Sequence, residues 1–424
     1  MSTPAHSPAP AALVADRLRA VLSRVSGERM AATVTALAGE AFAGRRVGSA
    51  GGAAARAWLA RRLADAGAAV TLEPFAAPHV PEVYSAPTVH WTDGDAERHL
   101  AFGRQVAVHL ASVDEPLIRR GPLAVAGVGD PVGRWLAVPA GMTLFDAYGH
   151  AHGALGLLLG RGVDADGWQY TMLAGPNPGP QPILTLDATT HAAVLHAAQA
   201  GTGTFAANTP IRRLDLPAAN VHGRWRTAAG GADILLTAHY DGVGDHPGLR
   251  QPAAADNGSG VSVVLEAATI LAGVLPPTAG LAVALLDGEE AGALGSAHHA
   301  ARLRATGATP AVLNVDGAGH LHEAAAVEAG GPAHGLLAAL DQAGRHTGLP
   351  LVAGPVASDN RRYAAAGLAA VGIGAGMAGY HSPADTPDRV QRATLTAVAR
   401  LVVATALLIG ADPGTVSSQI GDRR

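Results

Sequence analysis

The sequence predicts an α/β fold, with a mostly parallel central sheet flanked by helices and an inserted strand-rich domain. Two observations predict it. From residue 233 onward, short apolar runs alternate with longer amphipathic stretches, the rhythm of strands joined by crossover helices. Between residues 81 and 217 that rhythm gives way to short runs separated by Gly and Pro clusters, one of them at 176–182. This is the texture of a small, strand-rich unit.

The chain opens with helical spacing at 11–25 and 28–38, is broken by glycines at 44–52, and resumes as helix at 53–66, where Ala55, Leu59 and Leu63 share a face and Gly67 supplies a stop. A strand is expected at 70–75. Within the middle region, strands are expected at 123–128, 134–138, 154–159 and 183–185. The later series reads as strands at 234–237, 281–286, 311–315, 325–329, 349–352 and 368–374. Helices are expected at 261–275, 296–306, 332–348 and 389–409. The division that follows is a catalytic unit made of 1–80 and 218–424, interrupted by an inserted domain at 81–217.

A chain of 424 residues, 48% hydrophobic and 15% charged, has the length for two or three domains with a large core. Thirty basic against 34 acidic residues give a net charge of −4, no field for nucleic acid to follow, so no nucleic-acid partner is expected. The absence of cysteine rules out disulfides and thiolate chemistry. All 30 basic residues are arginine, which rules out Schiff-base catalysis and a P-loop. Residues 1–10 lack the charged and apolar parts of a signal peptide, giving the expectation of a cytoplasmic protein. The apolar run 401–409 follows Arg400 and falls short of the roughly 20 residues of a membrane span. It reads as a buried helix, and no membrane partner is expected. Oligomeric state is left open.

Acids and histidines gather at the ends of the apolar runs. T-A-H-Y-D-G carries His239 and Asp241, A-A-D-N-G-S-G carries Asp256, L-L-D-G-E-E-A-G-A-L carries Glu289 and Glu290, N-V-D carries Asp316, and Y-H-S-P-A-D-T carries Tyr380 and His381. Ligands of parallel sheets sit beyond the carboxyl ends of the strands. Imidazole and carboxylate are both zinc ligands, and two histidines with three carboxylates suffice for two ions when one carboxylate bridges. Two such ions activate a water for hydrolysis, and the extra glutamate of the Glu289–Glu290 pair is then free to carry its proton. Singly, each motif has a plainer reading: Asp256 or Asn257 as a helix N-cap, the glutamate pair as a charged loop, and either histidine as a hydrogen-bonded structural group. The pairs His150/His152 and His320/His322 are weaker metal candidates.

Taken in order, H-Y-D, A-D-N-G-S-G, G-E-E-A-G-A-L-G-S, N-V-D and Y-H-S-P-A-D-T resemble the clan MH zinc peptidases, which include bacterial di-zinc aminopeptidases and glutamate carboxypeptidase. The resemblance covers residue 233 to the C-terminus and extends more weakly to A-G-R-R-V-G-S at 43–49 and to an inserted protease-associated domain. It implies a zinc exopeptidase fold of the phosphorylase/hydrolase-like kind and two zinc ions per chain. His239, Glu290, Asp316 and His381 would be terminal ligands and Asp256 the bridge, with Asp316 paired to His239 and Glu290 to His381. It further implies Asp241 orienting His239, Glu289 as general base, Tyr380 as a donor to the oxyanion, and a cis peptide from Asp256 to Asn257. Many members of that clan are secreted.

The reading that follows is a zinc-dependent aminopeptidase acting on a peptide or small amide substrate. The alternatives are a carboxypeptidase or amide hydrolase of the same clan, for which Arg361 and Arg362 offer a carboxylate clamp, a single-zinc glutaminyl cyclase, and a binding protein that keeps the fold without catalysis. The G-x-G-x-x-G at Gly374, Gly376 and Gly379 leads into a turn-rich segment and not a helix, so it does not read as a dinucleotide site. Ser259 lacks the glycine two residues before it that a nucleophile elbow requires.

Overall fold

The computed structural model describes residues 10–411 other than 95, 172, 174 and 176, so the reading of residues 1–9 lies outside the described residues. The chain enters through α1 (Pro10–Leu22), α2 (Gly27–Leu37), α3 (Ala50–Asp65) and β1 (Ala69–Val83). There follow β2 (Val89–Asp93), β3 (Ala96–His99), β4 (Val106–Val108), β5 (Glu115–Val125), β6 (Trp135–Ala137) and α4 (Leu144–Gly149). Then come β7 (Gly156–Arg161), β8 (Ile183–Asp187), α5 (Ala188–Ala200), β9 (Thr204–Thr209) and β10 (Ile211–Arg226). The remainder alternates: β11 (Asp233–His239), α6 (Gly260–Ala272), β12 (Gly280–Leu286), α7 (Leu294–Thr306) and β13 (Ala311–Val315). It ends with β14 (Ala325–Gly330), α8 (His334–Thr347), β15 (Leu351–Ala353), α9 (Asn360–Ala365), β16 (Ala370–Gly374) and α10 (Arg392–Ala411).

Two eight-stranded sheets result, ordered β1-β10-β12-β11-β13-β16-β14-β15 and β3-β2-β9-β5-β6-β7-β8-β4. The first is parallel at its centre, where β12, β11, β13 and β16 run together. Its flanks differ from a simple parallel reading: β1 pairs antiparallel with β10, β10 antiparallel with β12, and β14 antiparallel with β16. The second sheet is built entirely from chain between β1 and β10. That stretch is less purely strand than its texture predicts, because α5 crosses it. Asp187 caps the start of α5 by accepting from Thr189 and Thr190 N–H, and Gly201 ends it in the left-handed region at φ 70°.

Alternation along each central strand covers both faces of the first sheet. Ile234 and Leu236 pack in the main core with α6 and α10, while Leu235 packs with Val312, Ala300 and Tyr363 on the opposite face. Helix α10 is long and apolar enough to cross a membrane by composition. Here its Leu395, Val398, Leu401 and Val402 are wholly buried in the core, each contributing about 1.5–3 kcal/mol of burial.

A polar knot ties the antiparallel edge to α7. Glu73 on β1 accepts from Asn220 Nδ2 at 2.9 Å and lies 2.7 Å from His222 Nε2, both on β10, and Arg302 Nε of α7 lies 2.7 Å from its other oxygen. Glu73, His222 and His299 form a grouping of metal-ligand type, but Asn220, His222 and Arg302 already contact the carboxylate, which acts as a structural anchor. Burial pushes the Glu73 carboxyl up, yet the bonds from His222 and Asn220 outweigh it and bring it down from 4.5 to about 2. A carboxyl depressed on folding stabilises the fold above its unfolded pKa and loses that contribution as pH falls toward the folded value. The stability deficit of Glu73→Gln, measured as a urea midpoint, is therefore expected to be constant above pH 4.5 and to shrink as pH falls toward 2. A deficit that grows on acidification contradicts this.

Candidate metal centre

Strand register delivers the donors to one edge of the first sheet. His239 ends β11 opposite Leu286, the last residue of β12, and Thr237 of β11 faces Asn314 of β13, just before Asp316. His239, the Glu289–Glu290 loop and Asp316 thus leave the sheet together at its carboxyl edge. Asp256 comes from the turn before α6, and His381 from the loop after β16.

Asn257, and not Asp256, performs the capping work at that turn. Its Oδ1 accepts from Gly260 N at 2.9 Å and Gly317 N at 3.2 Å, and its Nδ2 donates to Val315 O at 2.9 Å. A side chain on Gly260 would lie 2.2 Å from Asn257 Oδ1 and 2.4 Å from Val315 O, so only glycine fits. The Asp256–Asn257 peptide is cis. Asp385 holds the other side, its carboxylate accepting from Ala255 N at 2.6 Å and Asp256 N at 3.0 Å. With its backbone held by Asp385 and its neighbour taking the cap, the Asp256 side chain is left for the centre.

The centre is two histidine–carboxylate pairs with Asp256 between them. His239 Nε2 lies 3.3 Å from Asp256 Oδ1 and 3.4 Å from Asp316 Oδ1. His381 Nε2 lies 3.0 Å from Asp256 Oδ2 and 2.9 Å from Glu290 Oε2. All five residues are buried. Both imidazoles are fixed from behind: His239 Nδ1 donates to the Asp241 carbonyl at 3.2 Å and lies 3.5 Å from its carboxylate, and His381 Nδ1 donates to the Thr171 carbonyl at 3.1 Å. These contacts place the proton on Nδ1 and leave Nε2 for a ligand. Asp241 also accepts from Glu289 N at 3.0 Å and Glu290 N at 3.2 Å, so one carboxylate sets both His239 and the glutamate loop. A cavity of about 10 Å³ lies among Asp256, Glu290, His381 and Asp385, about the room one small sphere requires.

Crowded acids set the electrostatics. Burial pushes Glu290 up to about 7 against the pull of His381, and neither of its buried oxygens receives an aligned hydrogen bond. Burial likewise raises Asp385 to about 7 despite its two N–H donors, and Asp359, also buried beside the site, to about 7 despite His239. Asp256 goes the other way: burial would raise it, but the bonds from His239 and His381 hold it below the usual carboxylate range. Burial disfavours charge on both histidines, yet Asp316, Asp241 and Asp256 together outweigh it for His239, and Glu290 and Asp256 together for His381, raising both well above 6.5. The carboxylates thus draw positive charge toward the centre, as a donor set suited to a cation does.

Arg45 is a part of the site that the motifs did not reveal. It is fully buried at φ 55°. Its guanidinium donates to Tyr240 O at 2.7 Å, Leu37 O at 2.7 Å, Pro252 O at 3.1 Å and Ala253 O at 2.6 Å. It therefore staples the chain after His239 to the chain before Asp256; burial lowers its pKa, a shift that Asp385, Asp241, Asp256 and Glu290 oppose without cancelling. The only sequence signal was its place in A-G-R-R-V-G-S.

Glu289 is partly exposed beside the buried Glu290. Loss of solvent raises its carboxyl well above 4.5, opposed by His239 and reinforced by Asp359. Tyr380 is 40% exposed and stacks on His381 with ring centroids 3.6 Å apart. Loss of solvent and then the carboxylates of Asp256 and Glu290 push its phenol upward, so it stays a donor. The two arginines are engaged by other groups: Arg361 Nε binds Glu328 at 2.7 Å, and Arg362 binds the carbonyl of Gly292, in the loop that carries Glu289 and Glu290, at 2.7 Å. Among the described residues, neither His150/His152 nor His320/His322 joins a grouping of three metal-type donors. His150 and His152 line a separate cavity, and His320 meets Gln391.

Residues 220–406 match the description of peptidase family M28. This stretch belongs to that family. It holds His239, Asp256, Glu290, Asp316 and His381, and family M28 is one of the clan MH zinc peptidases. Comparison with curated proteins finds no match. Among solved structures, the chain resembles BSAP, a zinc aminopeptidase from Bacillus subtilis, with TM-score 0.68 and 18% identity over 90% of this chain and 94% of that one. It resembles an aminopeptidase from Aneurinibacillus sp. strain AM-1 with TM-score 0.69 and 19% identity over 92% and 95%. A peptidase M28 precursor from Shewanella amazonensis gives TM-score 0.68 and 17% identity over 94% and 96%. At these identities the likeness shows a shared fold, and it spans the second sheet as well as the M28 stretch.

Arg45→Met is expected to lower the unfolding free energy of the protein by about 3–5 kcal/mol, since it strands buried carbonyls and uncompensated acids. A denaturant midpoint within error of the parent would contradict the stapling role.

Proposed function

We propose that this protein is a zinc-dependent exopeptidase, an aminopeptidase that removes N-terminal residues from peptides at a two-zinc centre. The observation that carries the reading is the Asp256 carboxylate set between His239 with Asp316 and His381 with Glu290. Two imidazoles and three carboxylates are ligands zinc accepts, and the buried Glu290 carboxylate, whose oxygens receive no aligned hydrogen bond, fits that use. On this reading Asp316 and His239 would hold one ion and Glu290 and His381 the other, with Asp256 serving as a ligand to both. The likeness to BSAP, a zinc aminopeptidase, and to the Aneurinibacillus aminopeptidase supports it. We further read 81–217 as a protease-associated-like domain inserted into a catalytic unit formed by 1–80 and 218–424.

Bound zinc would acidify a shared water and polarise the scissile carbonyl. The protein's own groups do the rest. Glu289, whose carboxyl loss of solvent holds above the usual range, takes the proton of the attacking water and returns it to the leaving amine. Tyr380, kept protonated by the surrounding acids, donates to the oxyanion. Asp241 holds His239 and the backbone of the glutamate loop in one frame, so base and ligands keep a fixed relation.

The negative surroundings suit a substrate that carries a free α-amine, and we assign Glu289 and Asp316 to meet it. A carboxypeptidase needs a cationic clamp instead, and Arg361 and Arg362 are already engaged with Glu328 and the Gly292 carbonyl. Aminoacyl-nitroanilides are therefore expected to be cleaved, and N-blocked or carboxyl-terminal substrates not, with activity abolished by chelator and restored by zinc. Cleavage confined to N-blocked peptides would reject the aminopeptidase assignment. Glu289→Gln is expected to keep two zinc ions per chain and lose about 10²–10⁴-fold in kcat. Parent-like turnover in that variant would mean the proton carrier is a different group.

A further inference from the structure

The two ligand histidines are held by different parts of the molecule. Asp241, which fixes His239, lies two residues along the same loop. Thr171, which fixes His381, belongs to the chain between β7 and β8 of the second sheet. Thr171 grips His381 twice, its N–H donating to the His381 carbonyl at 2.8 Å and its own carbonyl accepting from Nδ1 at 3.1 Å. His381 has φ 51°, a left-handed conformation that non-glycine residues keep only when the surroundings enforce it.

The segment that supplies Thr171 is itself anchored to the catalytic loop by Asp164. One oxygen of Asp164 closes a turn, accepting from Asp166 N and Trp168 N at 2.9 Å each. The other accepts from Ser382 Oγ at 2.8 Å, on the residue next to His381. Asp166 pairs with Arg389, further along the same loop. The Arg104 guanidinium packs 3.8 Å over the Trp168 ring, tying the turn back to its own unit.

We propose that the 164–171 segment of the second-sheet unit positions His381 for its metal, with Asp164 as the anchoring residue, so that this unit governs one of the two metal positions and not the other. The inference rests on the two-zinc reading above. A carbonyl or carboxylate behind a ligand histidine fixes its tautomer and ring orientation, and losing such a partner typically weakens metal binding about 10–100-fold. The His239 position, oriented by Asp241 within the M28 region, has no such dependence.

The test is zinc binding by chelator competition on the full chain, comparing the parent with Asp164→Ala and the more conservative Asp164→Asn, alongside the melting temperature of the zinc-free proteins. The expected result is two zinc ions in the parent and, in Asp164→Ala, one position weakened about 10–100-fold with the other unchanged and zinc-free melting preserved. Equal weakening of both positions, or no weakening of either, would overturn the proposal in favour of a purely structural turn. If Asp164→Ala does not fold, Asp164→Asn decides by the same criterion. A parent that binds no zinc would instead defeat the functional reading on which the proposal stands.

Discussion

The rest of the structure answers to a concentration of buried negative charge. Asp241, Asp256, Glu290, Asp316, Asp359 and Asp385 lie at one edge of the first sheet with little exposure. Moving a single carboxylate out of water carries a penalty of several kcal/mol unless it is paired. Arg45 is a buried positive group among them with a permanent charge, and His239 and His381 carry charge there only by taking up protons. Two divalent ions around Asp256, as proposed above, would offset that charge with the donor types present.

That constraint explains features otherwise unrelated. Parallel pairing of β11, β12 and β13 in matched register brings donors distant in sequence to one edge. Asn257 takes the helix-capping bonds and Asp385 the backbone N–H groups, so that Asp256 keeps both oxygens for the centre. Arg45 spends its donors on the carbonyls of the loops that carry His239 and Asp256, neutralising and rigidifying the same place. Even the Thr171 contact belongs to this pattern, since an imidazole donating from Nδ1 presents Nε2 to the acids.

The centre was legible in the sequence because its residues sit in short motifs at strand ends, where local pattern and function coincide. His239, Asp256, Glu290, Asp316 and His381 converge as the order of those motifs implied. Support from elsewhere in the chain was not legible. Arg45 and Thr171 act through contacts made more than 190 residues away, and no periodicity encodes such pairings. Asp385 stood within a quoted motif, but its role as acceptor for the Ala255 and Asp256 N–H groups exists only in the fold. The antiparallel flanks of the first sheet depend on which strand lies beside which, and turn spacing does not say. Helix α5 was signalled by Asp187 and Gly201 and lost in a Gly- and Pro-rich context.

Crystals of the zinc-loaded protein, with anomalous diffraction measured above and below the zinc absorption edge, test the central claim most directly. The account predicts two zinc peaks, one on each side of the Asp256 carboxylate, the first against His239 and Asp316 and the second against His381 and Glu290. Zinc bound away from Asp256, or no anomalous peak at this edge of the sheet, would contradict it.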